Sequence, residues 1–384
     1  MMKILHTADW HLGKLVHQLH MTEDQSYIID QIIQIVQEEQ PDVVVIAGDL
    51  YDRAIPPKEA VELLNNTLTT LIFDLGIPVL ANTGNHDSPD RLNFGSQLFK
   101  RQQFYLQAHL EGALEPVTLR DEYGDIHFYL IPYIEPADAR IEFEDESIQT
   151  HQEAMETVVK CVQDKMNHNE RHVFVGHAFL AGGMESESEE RLSMIGGTPY
   201  IDASLFYDFD YVALGHLHQP QRVKRDVIRY SGSILKYSFS EANHKKSVTI
   251  VELTNQGVEE IKQIPLVPKR DMRIKEGYLQ ELLDTDEEGM QDYLHIKLLD
   301  KGQLLDPMGK LRKVFPNVLS LERVGLMGDS KEKQLQNVQE RKQMSHLELF
   351  QSFYKEVKGE DLDDKRTSHI FQVIQELIQE ERNQ

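Results

Sequence analysis

The sequence predicts an α/β protein whose sheets mix parallel and antiparallel strands, followed by a smaller α+β segment and two terminal helices. Three observations carry this. Short apolar runs alternate with longer amphipathic stretches over residues 1–250, the pattern of successive strands and helices. Val43–Ala47 is a continuous, mostly β-branched run, of the kind buried on both faces of a sheet. Near Pro265–Arg270, prolines and charges replace the alternation, which marks a domain boundary.

Lys3–Thr7 reads as the first strand. In Asp24–Glu39, Ile28, Ile32, Ile35 and Val36 recur at helical spacing, and Pro41 ends the helix. Pro56-Pro57 opens a second helix over Lys58–Leu75, where proline suits the first turn. Val79–Ala81 is strand-like and Arg91–Arg101 helical. Further strands are expected at Val117–Leu119, His127–Ile131, His172–Val175, Tyr211–Leu214, Val227–Tyr230 and Val248–Leu253, with a helix at Gln152–Asn167 among them. Beyond the boundary, Tyr293–Leu298 and Val318–Val324 read as strands around a helix at Pro307–Val314. Met327–Lys342 is a polar linker. Ser345-His346-Leu347-Glu348 is a capping box. It opens a helix striped with Leu347, Phe350, Phe353, Tyr354 and Val357, and Ile370, Phe371, Ile374, Leu377 and Ile378 form a second stripe. The chain therefore divides into residues 1–268, 269–330 and 331–384.

Composition narrows the function. A chain of 384 residues suggests two or three domains. With 40% apolar and 27% charged residues it is neither disordered nor fibrous. No apolar run approaches the roughly 18 residues of a membrane span. An acid and a histidine come too early for a signal peptide. Cys161 is the single cysteine, so no intrachain disulfide forms and a cytoplasmic location is expected. The net charge of −24 repels polyanions. A nucleic-acid function therefore needs metal charge, a local basic patch or a partner. The 17 histidines favour metal.

Five short motifs each follow an apolar run: Asp9-Trp10-His11, Gly48-Asp49-Leu50-Tyr51-Asp52, Gly84-Asn85-His86-Asp87, Gly176-His177 and Gly215-His216-Leu217-His218. Sites in open α/β sheets lie at the carboxyl ends of strands. Convergence of the five would bring Asp9, His11, Asp49, Asn85, His177, His216 and His218 to one crevice. The i, i+2 spacing of Asp9/His11 and His216/His218 places each pair on one side of an extended segment. Oxygen and imidazole donors without thiolate suit Mn, Fe or Zn. Seven ligands are too many for one tetrahedral ion but suit two ions sharing a carboxylate. Such a pair, about 3.5–4 Å apart, can clamp a phosphate and activate a hydroxide for in-line attack. Two divalent cations against two aspartates also leave the centre positive within an acidic chain.

In these motifs the sequence resembles the calcineurin-like metallophosphoesterases over residues 1–250. Within them it is similar to the SbcD family of bacterial nucleases, which partner the SMC-like ATPase SbcC. The opening Lys3-Ile4-Leu5-His6-Thr7-Ala8-Asp9-Trp10-His11-Leu12-Gly13 carries that resemblance. So do Gly48-Asp49-Leu50-Tyr51-Asp52 running into Pro56-Pro57, Ala181-Gly182-Gly183 with Ser186-Glu187-Ser188-Glu189-Glu190-Arg191, and Tyr230-Ser231-Gly232-Ser233. The resemblance implies a two-sheet αββα sandwich, a small α+β capping domain over residues 269–330, and partner-binding helices in the C-terminal region. It implies Asp9, His11 and His218 on one metal, Asn85, His177 and His216 on the other, and Asp49 bridging, with Mn(II) as the activating metal. His86 is then the catalytic acid or phosphate donor, with Asp87 orienting its ring. Where Asp52 stands, eukaryotic and archaeal relatives often carry histidine, so the resemblance carries no catalytic role over to Asp52, whose plain structural reading is a hydrogen bond to the loop backbone.

The implied activity is exonuclease on duplex DNA and endonuclease on single strands and hairpins, for end processing, repair and recombination. The implied assembly pairs two such chains with two SbcC chains. ATP hydrolysis falls to the partner, because the sequence has no phosphate-loop motif. Arg222, Lys224, Arg225, Arg229, Lys236, Lys245 and Lys246, with Lys269, Arg270 and Arg273, are the candidate contacts to DNA phosphates. A phosphodiesterase or phosphatase acting on small molecules is the alternative on the same metal set.

Overall fold

A computed structural model of the chain describes residues 1–189, 200–284 and 289–324, with Tyr354, Arg366, Thr367 and Ile370 besides. Val43–Ala47 is buried at all five positions. It runs parallel between Met2–Thr7 and Val79–Asn82, with Val43 opposite Ile4 and Ala47 opposite Asn82. The six-stranded sheet built around it has the order Gly257–Pro265, Ser247–Thr254, Met2–Thr7, Val43–Ala47, Val79–Asn82, Phe104–Gln107. A second six-stranded sheet runs Gln221–Val223, Arg225–Tyr230, Tyr211–Gly215, Arg171–His177, Gly124–Ile131, Val117–Asp121. In the second sheet the two outermost pairs are antiparallel and the inner ones parallel. In the first, Ser247–Thr254 is antiparallel to both its neighbours and the remaining pairs are parallel.

The two sheets pack face to face. Ile4, Val43, Val45, Leu80 and Val251 from one meet Phe128, Val173, Val175 and Tyr211 from the other. Burial of each such side chain contributes about 1.5–3 kcal/mol. The outer face of the first sheet is covered by Thr22–Glu39 and Lys58–Thr69, through Ile28, Ile32 and Leu64. The outer face of the second is covered by His151–Gln163 through Met155, Val158 and Val162. Thr150 and Glu153 close a reciprocal capping box at the start of that helix. The result is a four-layer αββα sandwich.

Several elements differ from the sequence reading. The expected helix Arg91–Arg101 is two short helices, Pro89–Leu92 and Ser96–Lys100. Gly95, at φ +78°, breaks it in a left-handed conformation. The helix expected to reach Leu75 ends at Thr69 and continues as a π turn over Thr70–Asp74. The structure adds strands at Phe104–Gln107 and Gly257–Pro265 and a helix at Pro136–Phe143. Gly257–Pro265 is an edge strand with mostly exposed or half-buried positions, several of them charged, and its pattern reads as a connection.

By contacts the chain divides into two units. One comprises residues 1–275, 286–295 and 312–320, and the other 276–285, 296–311 and 321–384. The first contains both six-stranded sheets. Met272–Gly277, Tyr293–Leu298 and Val318–Arg323 are strands and Pro307–Val314 is a helix. In the second unit Leu299 N–H donates to the Gly277 carbonyl at 3.1 Å, and Asp300 accepts from Leu279 N–H at 2.8 Å. The expected linker Met327–Lys342, the two terminal apolar stripes apart from Tyr354 and Ile370, and Glu190-Arg191 lie outside the described residues.

Candidate metal centre

Five of the parallel strands of the two sheets end at Thr7, Ala47, Asn82, His177 and Gly215, and the five motifs sit at or just beyond these ends. The sheets come close here. A Cβ on Gly215 would lie 1.7 Å from the Ala47 carbonyl oxygen, and one on Gly84 would lie 2.1 Å from Asp49 Oδ1. Only glycine fits at either position. The turns are tight as well. Asp9, His11, Asp49 and His216 have φ of 51°, 45°, 50° and 106°. The i, i+2 pairs thus reach the centre from left-handed turns rather than from extended chain. Such conformations cost roughly 1–3 kcal/mol each and concentrate at functional sites.

All seven predicted residues converge. His11 Nε2 faces His218 Nε2 at 3.0 Å. Asn85 Oδ1 lies 3.0 Å from His177 Nε2 and 3.1 Å from His216 Nδ1. Asp49 Oδ2 stands between these groups, 3.5 Å from His11 Nε2 and 3.3 Å from His177 Nε2. Among the described residues, two clusters have ligand atoms within 4.8 Å of one another: His11, Asp49 and His86, and Asp9, Asp49 and His177. Asp49 is common to both. Asp9 Oδ1 accepts from His216 N–H at 2.8 Å. Its Oδ2 is buried without a hydrogen-bond partner, as is His11 Nδ1. Converging imidazole nitrogens and an orphaned buried carboxylate oxygen are what a divalent cation satisfies, so the donor set fits a metal pair.

The electrostatics agree. Burial raises the Asp9 carboxyl to about 7. Burial also pushes Asp49 up, but the facing His177 and His11 hold it well below the ordinary carboxylate range. Burial pulls His177 down, yet the Asp49 charge outweighs it and the imidazole rises to about 9. His11 and His216 are driven well below the usual histidine value by burial.

Two family models match the chain: calcineurin-like phosphoesterase over residues 2–220, and type 5 capsule protein repressor C-terminal domain over residues 268–358. The D subunit of nuclease SbcCD from Staphylococcus saprophyticus is 38% identical over 383 residues, covering 99% of both chains. The protein of that name from Staphylococcus epidermidis is 35% identical over 382 residues, 99% of this chain and 100% of that one. The chain belongs to the SbcD family of calcineurin-like phosphoesterases. Among solved structures, the protein TT1561 of Thermus thermophilus is similar at 12% identity and TM-score 0.41, covering 69% of this chain and 99% of that one. A dimetal phosphatase from Danio rerio is similar at 13% identity and TM-score 0.41, with the same coverage.

Around the family's motifs the structure adds residues that the sequence reading missed. Gln25 Nε2 donates to the His11 carbonyl at 2.7 Å, and its Oε1 accepts from Gly13 N–H at 3.0 Å, pinning the first motif. Glu241 and Lys246, both buried, pair behind His218. Lys246 Nζ also donates to the His218 carbonyl and to Ser233 Oγ, each at 2.7 Å. The sequence makes Lys246 a candidate contact to DNA phosphates; the structure corrects this, because Lys246 is a buried internal support. Only the histidine-rich motif 28 residues before it hinted at such a role.

Two expectations near His86 are corrected. Asp87 does not orient the His86 ring. Its carboxylate accepts from the backbone N–H groups of Leu50, Tyr51 and Gly84 at 3.0–3.1 Å, tying the second motif to the third. The His86 ring is held by the Asp52 carbonyl, 3.0 Å from Nδ1. The Asp52 side chain does not bond the loop backbone. It pairs with Lys14 Nζ at 2.6 Å and lies 3.6 Å from His11 Nδ1.

Proposed function

We propose that this chain is a metal-dependent DNA nuclease, activated by Mn(II), that works as the nuclease subunit of an SbcCD-type complex. The convergence of Asp9, His11, Asp49, Asn85, His177, His216 and His218, together with family membership across the whole chain, supports this reading. Asp9, His11 and His218 would hold one ion, Asn85, His177 and His216 the other, and Asp49 both. When bound, the pair supplies Lewis-acid polarisation of a phosphodiester and a nucleophile drawn from water.

The chain's own residues do the rest. The His86 backbone N–H donates to Asp49 Oδ1 at 3.0 Å, fixing the carboxylate. A carbonyl only accepts, so His86 Nδ1 carries a proton toward Asp52 O and the ring is oriented. Proton exchange with the departing 3′ oxygen falls to Nε2.

Duplex DNA needs cations along its backbone. Most candidates from sequence are already neutralised. Arg222 pairs with Asp226, Lys236 with Asp271, Lys269 with Glu23, Arg270 with Asp24 and Arg273 with Asp292. In a chain of net charge −24 this favours an ATPase partner of the SbcC type as the main DNA-binding surface. The capping domain over residues 269–330 would restrict which DNA ends enter, and residues 331–384 would dock on the partner.

The test is cleavage of linear duplex and hairpin DNA with Mn(II) or Mg(II), with and without the ATPase and ATP. Mn-dependent cutting abolished by Asp49→Ala and His86→Ser is expected. No cutting of DNA under any condition, with turnover of a small phosphodiester instead, would overturn the substrate and leave the metal site.

A further inference from the structure

The chain places a serine against the metal-distal nitrogen of His218. Ser188 Oγ lies 2.8 Å from His218 Nδ1 and also donates to Glu241 Oε1. Glu241 is fully buried and paired with the buried Lys246, and its Oε1 accepts a further bond from Tyr237 N–H at 3.0 Å. An ionised carboxylate can only accept. The Ser188 hydroxyl proton therefore goes to Glu241. The neighbouring Ser186 hydroxyl, 2.9 Å from Ser188, donates instead to Glu189 at 2.7 Å. The Ser188 oxygen is thus left to accept from His218 Nδ1–H at 2.8 Å, nearer than Glu241 Oε1, which faces the same nitrogen at 3.5 Å. That makes Nε2 the bare nitrogen, and Nε2 is the atom facing His11. The same loop holds the His218 backbone, since Glu189 Oε1 accepts from His218 N–H at 2.7 Å. Glu187 N–H is anchored in turn on Ser240 at 2.9 Å.

We propose that Ser188, its hydroxyl oriented by the Glu241–Lys246 pair, is a positioning residue that sets the tautomer and ring orientation of His218 for metal binding. The acidic serine-bearing segment 186–189 is then part of the metal site although it supplies no ligand. This rests on His218 being a metal ligand, and the experiment separates the two readings.

Mn(II) binding to the full-length, metal-free chain is measured by titration calorimetry for the unsubstituted protein, Ser188→Ala and Ser188→Thr, with melting temperatures alongside. Partners of metal-ligating histidines are typically worth about 10–100-fold in affinity. We expect Ser188→Ala to weaken Mn(II) binding at one of two sites by about that much, with an unchanged melting temperature in the metal-free state. Ser188→Thr, which keeps the hydroxyl, restores affinity. Ser188→Ala binding as well as the unsubstituted chain, or Ser188→Thr binding no better than Ser188→Ala, overturns the positioning role. An unsubstituted chain that takes up no Mn(II) overturns the ligand reading and this inference with it. Nitrogen-15 NMR of the histidines gives an answer independent of any substitution. A protonated Nδ1 on His218 is expected in the metal-free protein, and a neutral ring protonated at Nε2 overturns the proposal.

Discussion

Replacing Lys246 by methionine is the sharpest test of what supports the metal centre. Lys246 is buried, and its ammonium serves three acceptors: Glu241 Oε2, the His218 carbonyl and Ser233 Oγ. The opposing Glu241 carboxyl is pushed up by its burial, but Lys246 holds it well below its ordinary range, so it is ionised in the fold. Methionine fills a similar volume and removes only the charge and donors. A buried carboxylate stripped of its partner costs about 3–5 kcal/mol. At roughly 2–4 °C per kcal/mol for a large domain, the melting temperature should fall on the order of 10 °C. Equilibrium unfolding of the metal-free protein is measured for Lys246→Met, Glu241→Gln and the double variant. The double variant should be more stable than the sum of the two losses predicts, by about 1–3 kcal/mol, because both charges leave together. A loss below about 1 kcal/mol for Lys246→Met, or simple additivity of the two substitutions, would refute the buried-pair reasoning.

Three further outcomes are expected. Metal uptake should release protons, because ligands bind deprotonated. Burial raises Asp9, and the facing Asp49 charge outweighs burial and raises His177, so both carry protons near neutral pH that should leave on metal uptake, and affinity should fall as pH falls. Calorimetry in buffers of different ionisation enthalpy measures this, and zero release contradicts it. His6 is held neutral, lowered to about 3 by burial, between the Tyr211 hydroxyl at 2.9 Å and the Leu214 carbonyl at 3.2 Å. Its folded value lies below the unfolded one, so its contribution is complete above about pH 6.5 and is lost as pH falls towards 3. That amounts to about 2 kcal/mol by pH 5, and a His6→Gln chain that kept the same acid loss would argue against it. Gly215→Ala should cost about 1–3 kcal/mol by overpacking and also weaken metal binding, since the added Cβ meets the Ala47 carbonyl at 1.7 Å. Unchanged stability and Mn(II) affinity would show that the sheets yield there.

Much of this molecule is legible in short stretches of chain. Val43–Ala47 announces a doubly buried strand because burial on both faces demands apolar side chains at every position. Each of the five motifs lies at or just beyond a strand end, so residue type and order pick out the seven side chains that converge, without knowledge of their distances. What stays hidden depends on partners far along the chain. Lys246 looks like any charged residue after a turn, and only its meeting with Glu241 and His218 makes it internal. Asp87 stands beside His86 in sequence, but three backbone N–H groups claim its carboxylate first. Ser188 lies 30 residues from the nitrogen it faces. Local pattern encodes which segments become strands and where the chain turns, because those preferences act within a few residues. The tautomer of a histidine, the charge of a buried acid and the strain of a left-handed turn are decided only when distant segments exclude water together, because their energies come from desolvation and direct contact.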